Sequence, residues 1–144
     1  MKVIVQRVLN ASCKVDNKIT GKIDHGFMLL VGFNTTDTEK NVYEMVKKVL
    51  NLRVFDDEAG IMNKSILDVS GSILSISQFT LYADTKKGNR PSYIEAMRGE
   101  EAVKLYDLFN KELEKEIHVE TGIFGADMQI SLINDGPITI ILER

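Results

Sequence analysis

Five uncharged residues, Ser77-Gln78-Phe79-Thr80-Leu81, close an apolar stretch that begins at Ile73. Hydroxyl and amide side chains there, with the backbone N–H groups between them, can hold a developing oxyanion. Thr80 can act as a nucleophile only where a base reaches its hydroxyl. Ser77 lies in Ser-Ile-Ser-Gln and lacks the flanking glycines of a nucleophile elbow. The conventional catalysts are scarce. His25 and His118 are the only histidines, and both read as loop or surface residues, so a Ser-His-Asp triad on Ser77 is a weak reading. Cys13, the only cysteine, has no histidine near it in sequence and reads as a small buried hydrophobe. No H-x-x-x-H or C-x-x-C occurs, and Asp56-Asp57-Glu58 lacks calcium-loop spacing, so no metal is expected. No G-x-x-x-x-G-K or G-x-G-x-x-G occurs either, and no cofactor is expected. On residues alone the Ser77–Leu81 segment is either a site or a strand fraying into a loop.

A second chemical feature is Gly136-Pro137, set between the strand-like runs Gln129–Ile133 and Ile138–Leu142. Asn134-Asp135-Gly136 alone would satisfy a hairpin turn. Pro137 adds rigidity and removes a ladder donor, which fixes the direction of the Gly136 carbonyl. Such a carbonyl can read the shape of a small ligand, and the plain alternative is an edge turn capped by proline. Arg7 is the third anomaly, because it shares the parity of Val3, Val5 and Leu9 in an alternating strand. A buried arginine must find acceptors, so it either pairs internally or faces a cleft.

Taken together, the two segments resemble the signature of the D-aminoacyl-tRNA deacylases, formerly called D-tyrosyl-tRNA deacylases. Ser77-Gln-Phe-Thr-Leu81 matches the first family motif residue for residue. Asn134-Asp-Gly-Pro-Ile-Thr139 matches the second with Ile138 in place of valine. Met1-Lys-Val-Ile-Val-Gln-Arg-Val8, Ala83-Asp84 through Lys87-Gly88, and Arg90-Pro91 agree as well, while Tyr93 stands where phenylalanine is usual. The resemblance spans the whole chain.

It implies a homodimer of α/β subunits, one domain over residues 1–144, that hydrolyses the ester bond of D-aminoacyl-tRNA at the tRNA 3′ end; a cytoplasmic location is expected from the lone cysteine. The implied catalytic segment is Ser77, Gln78, Phe79 and Thr80. The implied substrate-binding residues are Gly136 and Pro137, with Arg7 and Met128 in support. The Gly136-Pro137 peptide would be cis and inserted into the partner's active site, where its carbonyl receives the α-amino group. An L side chain would then collide with the loop, and glycine mischarged onto alanine tRNA would be accepted. With no conventional base available, the ribose 2′-OH would assist the attacking water while amides near Phe79 and Thr80 hold the oxyanion. The rival mechanism makes Thr80 a covalent nucleophile. The rival functions are a nucleic-acid-binding or scaffolding dimer and an esterase for small molecules.

The bulk numbers are compatible with this. The 144 residues are 44% hydrophobic and 27% charged, enough for one full core. A net charge of −3 argues against a broad grip on polyanions, so no extended duplex binding is expected, and Lys86, Lys87 and Arg90 form the nearest basic cluster. A lone cysteine fits a reducing cytosol. The apolar run Gly26–Phe33 is far short of the ~20 residues of a membrane helix, and no membrane association is expected.

The elements that must position these groups begin with a strand over Lys2–Leu9 and short strands at Ser12–Val15 and Lys18–Ile23, joined at Asp16-Asn17. Gly26–Phe33 reads as a strand buried on both faces. Thr36-Thr-Asp-Glu39 reads as a capping box ahead of a helix striped by Val42, Met45, Val46 and Val49. Short strands are expected at Arg53–Phe55 and Ile73–Leu81. Thr85–Arg90 is a polar loop, and Pro91 opens a short helix through Ile94 and Met97. A longer helix covers Glu100–Glu116, with strands at His118–Thr121, Met128–Ile133 and Ile138–Leu142. The expected architecture is an α/β domain with helices packed on one face of a layered or barrel-like sheet.

Overall fold

A computed structural model describes every residue from Met1 to Arg144. The strands are β1 (Lys2–Val15), β2 (Lys18–Ile23), β3 (Gly26–Gly32), β4 (Phe55–Asp56), β5 (Met62–Lys64), β6 (Ser72–Ser77), β7 (His118–Thr121) and β8 (Gln129–Glu143). The helices are α1 (Glu39–Leu50) and α2 (Gly99–Glu114), with a 3-10 turn at Phe79–Tyr82. The main sheet runs β2-β1-β3-β6-β7, with β8 on the other edge of β1, and β4-β5 form a separate ribbon. The β3-β6 and β6-β7 pairs are parallel, and the rest are antiparallel. The sheet curls until β2 meets β7: a Cβ on Gly21 would lie 2.8 Å from the Thr121 carbonyl oxygen. The result is the barrel-like sheet anticipated above, nearly closed.

β1 is one bent strand rather than two. Its partner in β8 steps from Asn134, opposite Val8, to Ile133, opposite Asn10, so Leu9 is an extra residue. A bulge of this kind reverses which parity faces inward. Val3 and Val5 join the larger core with Phe27, Val42, Met45 and Phe109, where both helices cover one face of the sheet. Ala11 and Cys13 have the same parity yet join Ile23, Met28, Leu74 and Ile76 in a second core inside the curl. Leu9, inward by simple alternation, is 51% exposed for this reason.

Other boundaries also moved. Helix α1 is capped by Thr38, whose N–H donates to Asn41 Oδ1 at 2.9 Å, and not by Thr36. The Thr36 N–H is taken instead by Asn34 Oδ1 at 3.1 Å, which holds Thr36 in the preceding loop. The helix expected from Pro91 does not form. Its backbone groups are engaged elsewhere: Asp84 and Ser92 exchange bonds of 2.8 and 2.9 Å, and Met97 N–H donates to the Phe33 carbonyl. β6 stops at Ser77 rather than Leu81, because β3 beside it ends at Gly32 and Gln78 N–H makes the last ladder bond, 2.7 Å to Val31 O. The two C-terminal strands are a single strand, β8, running antiparallel to β1 throughout. Gln6 pairs with Thr139 and Val8 with Asn134, so the intervening Asp135–Ile138 bulges out without reversing the chain.

Candidate active site

The carboxyl ends of parallel strands β3 and β6 open into a cleft of about 520 Å³. Its near wall is Val31–Phe33 and Ile76–Phe79, and its floor is Met97, Gly99 and Ala102 at the start of α2. Its far wall is the loop Phe124–Met128 together with Ile130. Close approach shapes both sides. A Cβ on Gly32 would lie 2.8 Å from the Gln78 carbonyl oxygen, and one on Gly122 would lie 2.4 Å from Met128 Sδ.

Ser77, Gln78, Phe79 and Met128 therefore share one cleft. Thr80 is not part of the wall but is tied to it, since Gln78 Nε2 donates to Thr80 Oγ1 at 2.6 Å. Phe79 and Thr80 begin the 3-10 turn, where N–H groups have no acceptor within the helix. Phe79 is 57% exposed and meets Tyr93 edge-on, with ring centroids 5.1 Å apart.

The cleft is poor in acids and bases. Asp127 is its only ionisable residue. His25 packs edge-on against Phe55 and His118 pairs with Glu120 at 3.0 Å, so neither reaches the wall. No cluster of three or more His, Cys, Asp or Glu side chains has metal-binding proximity.

Gly136, Pro137 and Arg7 lie outside this wall. The Gly136-Pro137 peptide is cis, Gly136 has φ of 116°, and both residues are exposed. Arg7 is buried and takes the internal option: Nη1 donates to Val54 O at 2.7 Å, and Nε stands 2.9 Å from Asp135 Oδ2. The Nε contact is an ion contact without hydrogen-bond alignment. Asn134 finishes the base of the loop, its Nδ2 donating to the carbonyls of Arg7 and Ile138, each at 2.9 Å. On the same strands Leu9 and Ile133, neighbours across β1 and β8 next to the loop, are 51% and 52% exposed, while Ile141, 63% exposed, points to the other face of the sheet.

The far wall escaped the sequence reading apart from Met128. Two glycines flanking Ile123-Phe124, Gly122 and Gly125 (φ 75°), were its one signal.

Residues 4–143 match the model of a family described as D-Tyr-tRNA(Tyr) deacylase. A solved structure described as "c-Myc DNA Unwinding Element Binding Protein" is 43% identical, with a TM-score of 0.95 over 100% of this chain and 99% of that one. Another, described as "Structural Analysis of a probable eukaryotic D-amino acid tRNA deacylase", is 17% identical with a TM-score of 0.85, over 98% and 97% of the two chains. That second likeness bears on the fold. No helix is long and apolar enough to cross a membrane.

Proposed function

Since the chain belongs to the D-Tyr-tRNA(Tyr) deacylase family, hydrolases of the ester bond in D-aminoacyl-tRNA, we propose that two copies cooperate in chiral proofreading. Each copy holds the ester in the cleft above Ser77–Thr80, and its partner supplies Gly136-Pro137 as the handedness filter. The separation of the two motifs carries this reading. The cleft of one subunit contains Ser77, Gln78, Phe79 and Met128, while the exposed Gly136-Pro137 loop stands outside its wall. The exposed apolar side chains of Leu9 and Ile133, neighbours across β1 and β8 beside that loop, suit a face that a second copy covers.

In this mechanism the Gly136 carbonyl of the partner accepts a hydrogen bond from the substrate's α-amino group. A D side chain then points away from the loop, an L side chain meets it, and glycine passes, which extends the activity to glycine mischarged onto alanine tRNA. Water adds to the ester carbonyl, and amides of Phe79 and Thr80 hold the oxyanion. The C–O bond to the terminal ribose breaks, and the ribose oxygen leaves with a proton. Losing one oxyanion donor costs ~10²–10³ in rate. With no histidine in the cleft, the vicinal 2′-OH orients or activates the water. The working compartment in this reading is the cytoplasm.

Deacylation of D-Tyr-tRNA and L-Tyr-tRNA side by side is the test. Rapid loss of the D ester alone supports the filter, and loss of both or of neither defeats it. A substrate ending in 2′-deoxyadenosine that is cleaved as fast as the ribo form removes the 2′-OH from the mechanism.

A second reading is favoured by the 43% identical structure, described as a DNA-unwinding-element-binding protein. The net charge of −3 opposes a long electrostatic footprint. A gel shift on duplex DNA at moderate salt decides it, and the absence of a shifted band disposes of duplex binding.

A further inference from the structure

The strongest unassigned feature is the loop Thr85–Arg90, exposed along its whole length. It carries three cations, Lys86, Lys87 and Arg90, and none of their side chains makes an ion pair or hydrogen bond within the protein. The one carboxylate at its base, Asp84, is turned back on the loop and accepts from the Lys86 N–H at 2.9 Å. Nothing lies within 4 Å of where a Gly88 Cβ would stand, so the tip projects clear of the body. Three unpaired cations held together in a protein of net charge −3 make this loop a local positive patch.

The loop also has a fixed position. It leaves the 3-10 turn of the cleft and is pinched at its base by the paired Asp84 and Ser92 backbones. The next residue is Tyr93, 40% exposed, whose ring packs edge-on against Phe79 of the cleft wall. Exposed aromatic faces beside unpaired cations are the combination that binds single-stranded nucleic acid, by base stacking and phosphate attraction.

We propose that Lys86, Lys87, Arg90 and the ring of Tyr93 form a single-strand RNA subsite for the nucleotides just before the terminal adenosine. The inference rests on the deacylase reading, because the cleft must hold the 3′ end for the strand to leave across this loop. Stacking on Tyr93 fixes the strand's exit direction, and the cations meet its phosphates. The protein thereby grips a short single strand through one local patch of charge.

The test compares two substrates, D-Tyr-tRNA and 3′-O-D-tyrosyl adenosine, which has no phosphate. Replacing Lys86, Lys87 and Arg90 together by glutamine lowers the tRNA-to-adenosine ratio of kcat/KM by about tenfold or more at low salt. It also flattens the dependence of log kcat/KM for tRNA on log salt by about 2, at ~0.7 per single-strand phosphate contact. Tyr93→Ala lowers the same ratio about fivefold or more, and Tyr93→Phe restores it, since stacking needs the ring and not the hydroxyl. A triple variant with an unchanged ratio and salt slope overturns the proposal, even if D-Tyr-tRNA is cleaved normally. A wild-type protein that cleaves neither substrate defeats the deacylase reading and this inference with it.

Discussion

Arg7 Nε stands 2.9 Å from Asp135 Oδ2, and Asp135 immediately precedes Gly136. The same guanidinium donates through Nη1 to Val54 O at 2.7 Å, so it links the protruding loop of β8 to the segment leading into β4. A guanidinium suits this because its N–H groups diverge in one rigid plane, whereas an ammonium offers a single point. Arg7→Met leaves a buried carbonyl unpaired and frees the loop. The expected loss is about 1–3 kcal/mol, read as a lower denaturant midpoint at unchanged m-value. Arg7→Lys should recover less than half of it. If both variants unfold with wild-type midpoints, the tie is ornamental.

Gly136 has φ of 116°, in the left-handed half of backbone space, and an added Cβ would sit 2.8 Å from Ile138 Cγ1 and 3.0 Å from the Ile138 nitrogen. Gly136→Ala must therefore reshape the loop, at about 1–3 kcal/mol of strain. Because Gly136 is exposed and outside the cleft of its own subunit, the proposed function assigns it a role only across subunits. The expected outcome is a fall of about tenfold or more in kcat/KM on D-Tyr-tRNA, since small misplacements cost that much. Wild-type D-to-L discrimination in a folded Gly136→Ala protein would remove the loop from the filter.

How much of this was readable in advance depends on whether the cause was local. Ser77–Phe79 announced themselves as an uncharged cluster ending an apolar run, and Gly136-Pro137 as a rigid breaker between two strand-like runs. The stripe Val42, Met45, Val46 and Val49 marked α1 because helical spacing is a local property. The inward turn of Ala11 and Cys13 was hidden, since it depends on one surplus residue, Leu9, that is visible only against β8. The missing helix after Pro91 has the same origin: propensity favoured it, but Asp84 and Phe33 had already engaged its backbone. Arg7 could not be assigned a partner from sequence, because Asp135 and Val54 reach it only after the sheet has formed.

Asp68 supplies a pH prediction. Hydrogen bonds from the Ser65 N–H and hydroxyl, at 2.7 and 2.8 Å, hold its carboxyl below the ordinary value of 3.8. A carboxyl lowered on folding stabilises the native state above its unfolded value, and that contribution is lost as pH falls through the lowered value. Asp68→Asn should therefore reduce Tm at neutral pH, and the difference should shrink as pH falls below the ordinary carboxyl value of 3.8. The group is exposed, so the effect is small. A Tm difference that stays constant from neutral pH to pH 2.5 would show that the charge is irrelevant.

Thr80 decides the chemistry. Its hydroxyl accepts from Gln78 Nε2 at 2.6 Å, and neither histidine lines the cleft beside it. A threonine hydroxyl without a base is a poor nucleophile, whereas its backbone N–H survives any side-chain change. Thr80→Ala should therefore keep single-turnover hydrolysis of D-Tyr-tRNA within about tenfold of wild type, since only a hydrogen bond to Gln78 is lost. Removing a true nucleophile costs about 10⁴ or more. A collapse of that size, together with an acyl-enzyme trapped on wild-type protein by rapid acid quench, would replace the water mechanism with covalent catalysis.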